Sequence, residues 1–129
     1  MSTYKTGMVF GVFDRLHKGH EYFLSRAQKQ CNKLIVVVTP DEVVLKLKQK
    51  KPSLGVDERV AKIVSFILSA VVVEGDKDIG SWQVLKVHTP DVVFLGYDQQ
   101  GIAKEMEALN QSYEYIDSFQ PERYKTSLL

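Results

Sequence analysis

The sequence predicts a single α/β domain with a parallel five-stranded sheet and helices on both faces. Strand-like and helix-like segments alternate along the 129 residues, as crossover βαβ units require. One of the strand-like segments, Leu34–Val38, is a continuous apolar run typical of a parallel strand that is buried on both faces. No internal repeat, low-complexity tract or linker divides residues 1–129, so we expect one domain.

The first strand and helix are predicted from a change in hydrophobic spacing. Gly7–Phe13 is rich in branched and aromatic residues, which indicates a strand. From His17 onward the apolar residues recur at three and four positions and predict one face of a helix: Phe23, Leu24, Ala27 and Cys31. Leu34–Val38 then forms the second strand.

The next segment predicts two helices separated by a basic loop. Thr39–Glu42 has the composition of a helix start, with Thr39 as the cap, proline in the first turn and acids at the positive helix end. We interpret Lys46–Lys51 as a loop that ends at a proline. A helix over Asp57–Ser69 is expected to carry an apolar face: Val60, Ile63, Val64 and Ile67.

The second half of the chain continues the alternation. Its predicted elements are a strand at Ala70–Glu74, a loop at Gly75–Gly80, a helix at Trp82–Val87, a strand at Asp91–Leu95, a helix at Ala103–Asn110 and a fifth strand at Tyr113–Ile116. This order predicts a Rossmann-like, doubly wound sheet, in which ligands bind beyond the carboxyl ends of the strands where the strand order reverses.

Composition excludes several classes of function. The formal net charge is +1, so no bulk basic field favours binding to nucleic acid or to a membrane surface. The apolar runs have strand length and are too short for a signal peptide core or a membrane span. Cys31 is the sole cysteine, which excludes an internal disulfide, and we expect it to be a small buried hydrophobe. We therefore expect a cytoplasmic protein.

The segment Gly11–His20 carries the chemistry, because it lies where the first predicted strand gives way to a helix. His17 and His20 are three residues apart at the helix start and therefore share one face. Free backbone N–H groups and the helix dipole favour an anion there, and Lys18 adds a positive charge. Gly11 permits close approach of backbone to a ligand, and Gly19 removes bulk between the imidazoles.

Residues 11–20 resemble the G-x-F-D-x-x-H-x-G-H form of the HxGH motif in the cytidylyltransferase-like nucleotidyltransferases. The resemblance covers most of the chain, and its last part is closest to archaeal-type FMN adenylyltransferases (FAD synthases). Two elements typical of glycerol-3-phosphate cytidylyltransferases, R-Y-V-D-E-V and R-T-x-G-I-S-T-T, are replaced by Ser65–Val71 and Pro121–Ser127. The chain stops two residues after Ser127, so we expect either at most one turn of the family's closing helix or a truncated sequence.

The resemblance implies a set of site residues. His17, His20, Lys48 and Arg59 match catalytic positions, with Arg59 holding phosphate oxygens. The matching nucleotide- or phosphate-binding positions are Gly11, Val12, Phe13, Asp14, Lys18, Gly19, Lys50, Gly96, Tyr97, Asp98, Gln99, Thr126 and Ser127. Asp14 is expected to orient a histidine or assist a metal, and Asp98 to bind ribose or base. Thr126 and Ser127 are expected to receive pyrophosphate. No residue is assigned as a direct metal ligand.

The implied reaction moves a nucleoside monophosphate from a nucleoside triphosphate to a small phosphorylated acceptor and releases pyrophosphate. The first expectation is ATP with FMN, assisted by Mg²⁺, in a homodimer. One alternative is CTP with glycerol 3-phosphate or another alcohol phosphate. Alternatives of other classes are a nucleotide-binding protein without turnover and a flavodoxin-like binding domain, although the latter needs no paired histidines.

Overall fold

The computed structural model describes residues 4–116 and contains the expected parallel sheet. Its strands are β1 (Tyr4–Gly11), β2 (Cys31–Val38), β3 (Val71–Glu74), β4 (Val92–Leu95) and β5 (Tyr113–Tyr115). They are arranged in the order β3-β2-β1-β4-β5, and all four pairings are parallel. The helices are α1 (Lys18–Lys29), α2 (Asp41–Lys48), α3 (Val56–Phe66), α4 (Gln83–His88) and α5 (Gln100–Ala108). The predicted fold class is confirmed.

Helices cover both faces of the sheet, because consecutive residues of the central strands point to opposite sides. Val9 and Val36 pack with α1 and α3 in one core, which also contains Cys31. Met8 and Ile35 pack with α4 and α5 in the other core. Burial on both faces explains why β2 and β4 are apolar at nearly every position.

Several predicted boundaries differ from the structure. Cys31, which helical spacing placed on the first helix, is the first residue of β2, because α1 ends at Lys29. Thr39 does not cap α2, since the cap position is Pro40 and the Thr39 hydroxyl donates to the Gly11 carbonyl at 3.2 Å. The expected loop at Lys46–Lys51 begins late, because α2 continues to Lys48 and ends at Gln49 in the left-handed conformation. Helix α3 ends at Phe66, where the following residue is extended, and Val64 is 43% exposed and not on the buried face.

The sheet has its switch point between β1 and β4. After β1 the chain moves outward to β2 and β3, and then returns to the opposite side of β1 to form β4. The crossovers that leave these two neighbouring strands therefore diverge and open a cleft at their carboxyl ends. Within residues 4–116, no helix has the length and hydropathy needed to cross a membrane.

Candidate active site

A cleft of about 860 Å³ opens at the carboxyl ends of β1 and β4. This volume is toward the upper end of the range of roughly 300–1,000 Å³ found for small-molecule sites. The cleft contains most of the residues that the sequence singled out: Gly11, Val12, Phe13, Asp14, His17, Gly19, His20, Lys48, Gly96, Tyr97, Asp98 and Gln99. The structure therefore brings together segments that are far apart in the chain.

The two histidines form a stacked pair at the start of α1. Their ring centroids are 3.8 Å apart and the rings are inclined by 22°. His17 is the N-cap residue, and its Nδ1 accepts a hydrogen bond from the Gly19 amide at 3.1 Å. His20 reciprocates, since its Nδ1 accepts from the His17 amide at 3.4 Å. The pair thus forms a capping box that uses imidazoles for both side chains.

These backbone hydrogen bonds determine the tautomer of both rings. A nitrogen that accepts a hydrogen bond carries no proton, so each neutral imidazole has its proton on Nε2. Burial lowers the pKa of His20, and the neighbouring His17 lowers it further. Each neutral ring therefore keeps one Nε2–H donor, and both residues line the cleft. Such donors are the groups needed to hold phosphate oxygens.

Two glycines and one phenylalanine position the pair. A Cβ on Gly19 would lie 2.9 Å from Cε1 of His17, so this helix position has no room for a side chain. A Cβ on Gly11 would lie 2.7 Å from the ring of Phe13. Phe13 is buried and packs edge to face against His20, with 5.5 Å between the two ring centroids. Phe13 itself has a left-handed backbone, with φ of 53°, a strained conformation for a bulky residue.

The Asp14 carboxylate holds the loop before α3 against the segment Gly11–His20 through two hydrogen bonds. One carboxylate oxygen accepts from the Ser53 amide at 2.7 Å, and the other accepts from the Leu54 amide at 2.9 Å. The hydrogen bond from Ser53 is the largest cause of the lowered pKa of Asp14. The carboxylate therefore anchors a loop, and its negative charge acts on His20 in the direction that raises the pKa of that ring.

Arg59 is not among the residues that line the cleft, so the structure does not support its expected role of holding phosphate oxygens. Its side chain is fully buried, and it donates to the carbonyls of Leu54 at 2.9 Å and of Val12 and Thr39 at 2.8 Å each. It also pairs with the Asp41 carboxylate at 2.6 Å. Because these partners occupy the guanidinium, Arg59 ties together the loops after β1 and β2 and the loop before α3.

The β4 side of the cleft is formed by the segment 96–99. Gln99 uses its side-chain amide within the protein: it accepts from the Gly96 amide at 2.9 Å and donates to the Phe10 carbonyl at 2.8 Å. It therefore ties the ends of β1 and β4 together, with one hydrogen bond made by its amide oxygen and one by its amide nitrogen. Asp98 is exposed in the cleft wall, and Tyr97 is 59% exposed there.

The predicted cations divide into two groups. Lys48 lines the cleft, and its charge contributes to the lowered pKa of His20. Lys18 and Lys50 are exposed and are not among the residues that line the cleft. Thr126 and Ser127, the expected pyrophosphate contacts, are outside the described residues.

Sequence reasoning missed part of the cleft wall, most of which is apolar. The missed residues are Phe10, Tyr22, Phe23, Thr39, Leu47, Gly101, Ile102 and Ile116. Helical spacing placed Phe23 on the core face, and a core residue and a cleft residue share that signal. For Thr39, the position directly after a buried strand was the available signal, since loops at strand ends form the sites of such sheets.

A metal ion would find few protein ligands in the cleft. Within residues 4–116, no group of three or more His, Cys, Asp or Glu side chains is placed to hold a metal. Of the two carboxylates that line the cleft, Asp14 is occupied by backbone amides, whereas Asp98 is exposed. This donor set fits an ion that arrives on substrate phosphates and takes at most one or two carboxylates from the protein.

Comparison with known proteins agrees with the motif. Residues 8–124 match the model of the family described as Cytidylyltransferase-like. An FAD synthase of Aciduliprofundum boonei is 40% identical over 100 residues, which cover 78% of this chain and 66% of that protein. An FAD synthase of Pyrococcus horikoshii is 32% identical over 129 residues, which cover 93% of this chain and 86% of that protein.

A solved structure supports the fold. The lipopolysaccharide core biosynthesis protein from Thermoplasma volcanium superimposes with a TM-score of 0.76 at 24% identity, covering 91% of this chain and 99% of that one. At this level of identity the likeness concerns the fold, and it agrees with the single parallel sheet described above.

Proposed function

The chain belongs to the cytidylyltransferase-like family and is a nucleotidyltransferase, and from this premise we propose that it transfers AMP from ATP to FMN, forming FAD and pyrophosphate. Its relatives named FAD synthase resemble it over most of its length. A nucleotidyltransferase needs a site that holds a chain of phosphates beside an acceptor. The cleft at the switch point of the sheet meets that need.

The observation that carries the proposal is the tautomer of the stacked histidines. In both His17 and His20, Nδ1 accepts a hydrogen bond from a backbone amide, so the neutral ring has its proton on Nε2. Two such donors side by side at a helix N-terminus match neighbouring phosphates of a triphosphate. We assign His17 and His20 to the α- and β-phosphates, where they stabilise the charge that grows in the transition state.

The choice of ATP and FMN is supported by the cleft lining. Aromatic and aliphatic side chains make up much of the wall, and Tyr97 has an exposed ring. Such surfaces suit the flat rings of adenine and of a flavin. The volume of about 860 Å³ accommodates two ligands of this kind better than a nucleotide with a small alcohol phosphate.

The reaction is a single displacement. A phosphate oxygen of FMN attacks the α-phosphorus of ATP, a new P–O bond forms, and the bond from that phosphorus to the oxygen bridging to the β-phosphate breaks. The leaving pyrophosphate takes the electron pair. Catalysis consists of positioning and charge stabilisation, in which Lys48 neutralises the acceptor phosphate or the α-phosphate. No covalent enzyme intermediate is required.

Nucleotidyltransferases of this family use a divalent metal, and we propose that the metal is Mg²⁺. It would enter with the triphosphate, neutralise part of its charge, and take Asp98 as a protein contact. A small ion that keeps most of its waters fits a cleft with one exposed carboxylate. The homodimer remains a prediction, which light scattering coupled to size exclusion would test.

Pyrophosphate release in a matrix of substrates tests the proposed function. ATP and CTP are each paired with FMN, glycerol 3-phosphate and phosphopantetheine, and ATP with FMN is expected to be the fastest. His17→Ala and His20→Ala are each expected to lower the rate by on the order of 10²-fold with ATP and FMN. The fastest turnover with CTP and glycerol 3-phosphate would support the cytidylyl alternative. Tight ATP binding without pyrophosphate release would indicate a binding protein.

A further inference from the structure

Helix α2 has one leucine, Leu47, that is largely exposed although it belongs to the helix's buried face. Val43 and Val44 are 6% and 3% exposed, and both pack inward. Leu47 follows them by four and three residues and therefore shares their face. It is nevertheless 62% exposed. The apolar face of α2 thus extends past the protein core, and among residues 4–116 its last member is left largely uncovered.

The space in front of Leu47 is the active-site cleft, since Leu47 lines it together with Lys48. Helix α2 follows β2, which borders β1 on one side, whereas the segment 96–99 follows β4 on the other side. The histidines follow β1 itself. The cleft therefore has a β2 side and a β4 side, with the phosphate-binding pair at the strand between them.

We propose that Leu47 is a specificity-determining residue that packs against the isoalloxazine ring of the acceptor on the β2 side of the cleft. The inference rests on the proposed function and extends it to the place where the flavin binds. The ring would cover the leucine that the core leaves exposed, while the phosphate of the same molecule reaches Lys48 and the histidines.

The pairing of Leu47 with Lys48 favours an acceptor of this chemistry. An apolar side chain next to a cation suits a molecule that has a flat apolar ring at one end and a phosphate at the other. Glycerol 3-phosphate offers the phosphate without the ring and would leave Leu47 exposed to water. The β4 side, with Tyr97 and Ile102, remains available for the base of the triphosphate.

The experiment compares Leu47→Ser with Leu45→Ser. Leu45 is on the same helix and is 43% exposed, but it is not among the residues that line the cleft, so it controls for the helix propensity and surface effects of serine. Kinetics with FMN and with ATP are measured separately. FMN affinity is also measured by flavin fluorescence, without turnover, and thermal melting verifies that both variants fold.

Leu47→Ser is expected to raise the KM and the Kd for FMN about fivefold to twentyfold, as the loss of one partly buried leucine contact implies. The KM for ATP should stay within twofold, and Leu45→Ser and Leu47→Met should resemble the wild type. Equal FMN affinity in the two serine variants, or a rise in the KM for ATP in place of that for FMN, would overturn the assignment of Leu47 alone. A wild type without FMN turnover would overturn the proposed function and this inference with it.

Discussion

Replacement of Arg59 by methionine should destabilise the fold strongly. Methionine has a similar length and fills most of the same space, so the main loss is the hydrogen bonding of the guanidinium. Three carbonyls, those of Leu54, Val12 and Thr39, lose a donor, and the Asp41 carboxylate loses its ion pair. At about 1 kcal/mol for each carbonyl, with a small addition for the half-exposed Asp41, the loss is about 3–5 kcal/mol.

Urea and thermal unfolding followed by circular dichroism measure this loss. For a domain of this size, about 3–5 kcal/mol corresponds to a fall in Tm of roughly 10–20 °C. Lys62→Met is the matched control, because Lys62 is exposed on the same helix α3 and should change stability by less than about 0.5 kcal/mol. A loss in the free energy of unfolding below about 1 kcal/mol in Arg59→Met, accompanied by a higher KM for the triphosphate, would refute the structural role of Arg59. It would favour the alternative in which Arg59 holds phosphate oxygens.

Three further predictions concern the cleft. Gly19→Ala should lower kcat more than tenfold, because the new Cβ displaces the ring of His17. Gly55→Ala is the control: its new Cβ would lie 3.7 Å from the Asp41 carboxylate, and its kcat should stay within twofold of the wild type in the same assay. The pKa of His20 is lowered in the folded protein, so its contribution to stability is full above the unfolded pKa of about 6.5 and is lost as the pH falls from there through the folded pKa. Urea unfolding between pH 5 and 7.5 should therefore show a free energy of unfolding that falls with pH in the wild type. An unchanged pH dependence in His20→Gln would contradict this assignment. Gln99→Glu keeps the acceptor for the Gly96 amide but loses the donor to the Phe10 carbonyl. The KM for the triphosphate should therefore rise on the order of tenfold. A wild-type KM would show that this link between β1 and β4 is not needed for binding.

The alternation of apolar runs was sufficient to predict the five strands and the parallel sheet. Leu34–Val38 has the composition that two buried faces impose, and the order of elements left few possible topologies. Helix ends were harder to predict. Thr39 has the residue type of an N-cap, but its hydroxyl bonds to Gly11 on a neighbouring strand, and a local pattern does not contain that tertiary contact.

The site was predictable where its residues are consecutive and uncertain where they are assembled by the fold. The segment Gly11–His20 identified the cleft, because its chemistry depends on spacing within one turn of helix. Arg59 has a residue type that serves equally as a phosphate ligand and as a buried tie. Its burial depends on where α3 packs, which the sequence pattern does not reveal. Leu47 was not predicted as a site residue, because it falls in the stretch Lys46–Lys51 that was interpreted as a basic loop, whereas α2 continues to Lys48.

The capping box made by His17 and His20 links ligand binding to the integrity of α1. The same two rings accept hydrogen bonds from backbone amides at the helix start and line the cleft. Any ligand that holds the rings in place also keeps the first turn wound, and any event that pulls them away lets it fray. Hydrogen exchange at the amides of residues 17 and 19, which donate to these rings, would therefore report occupancy of the cleft.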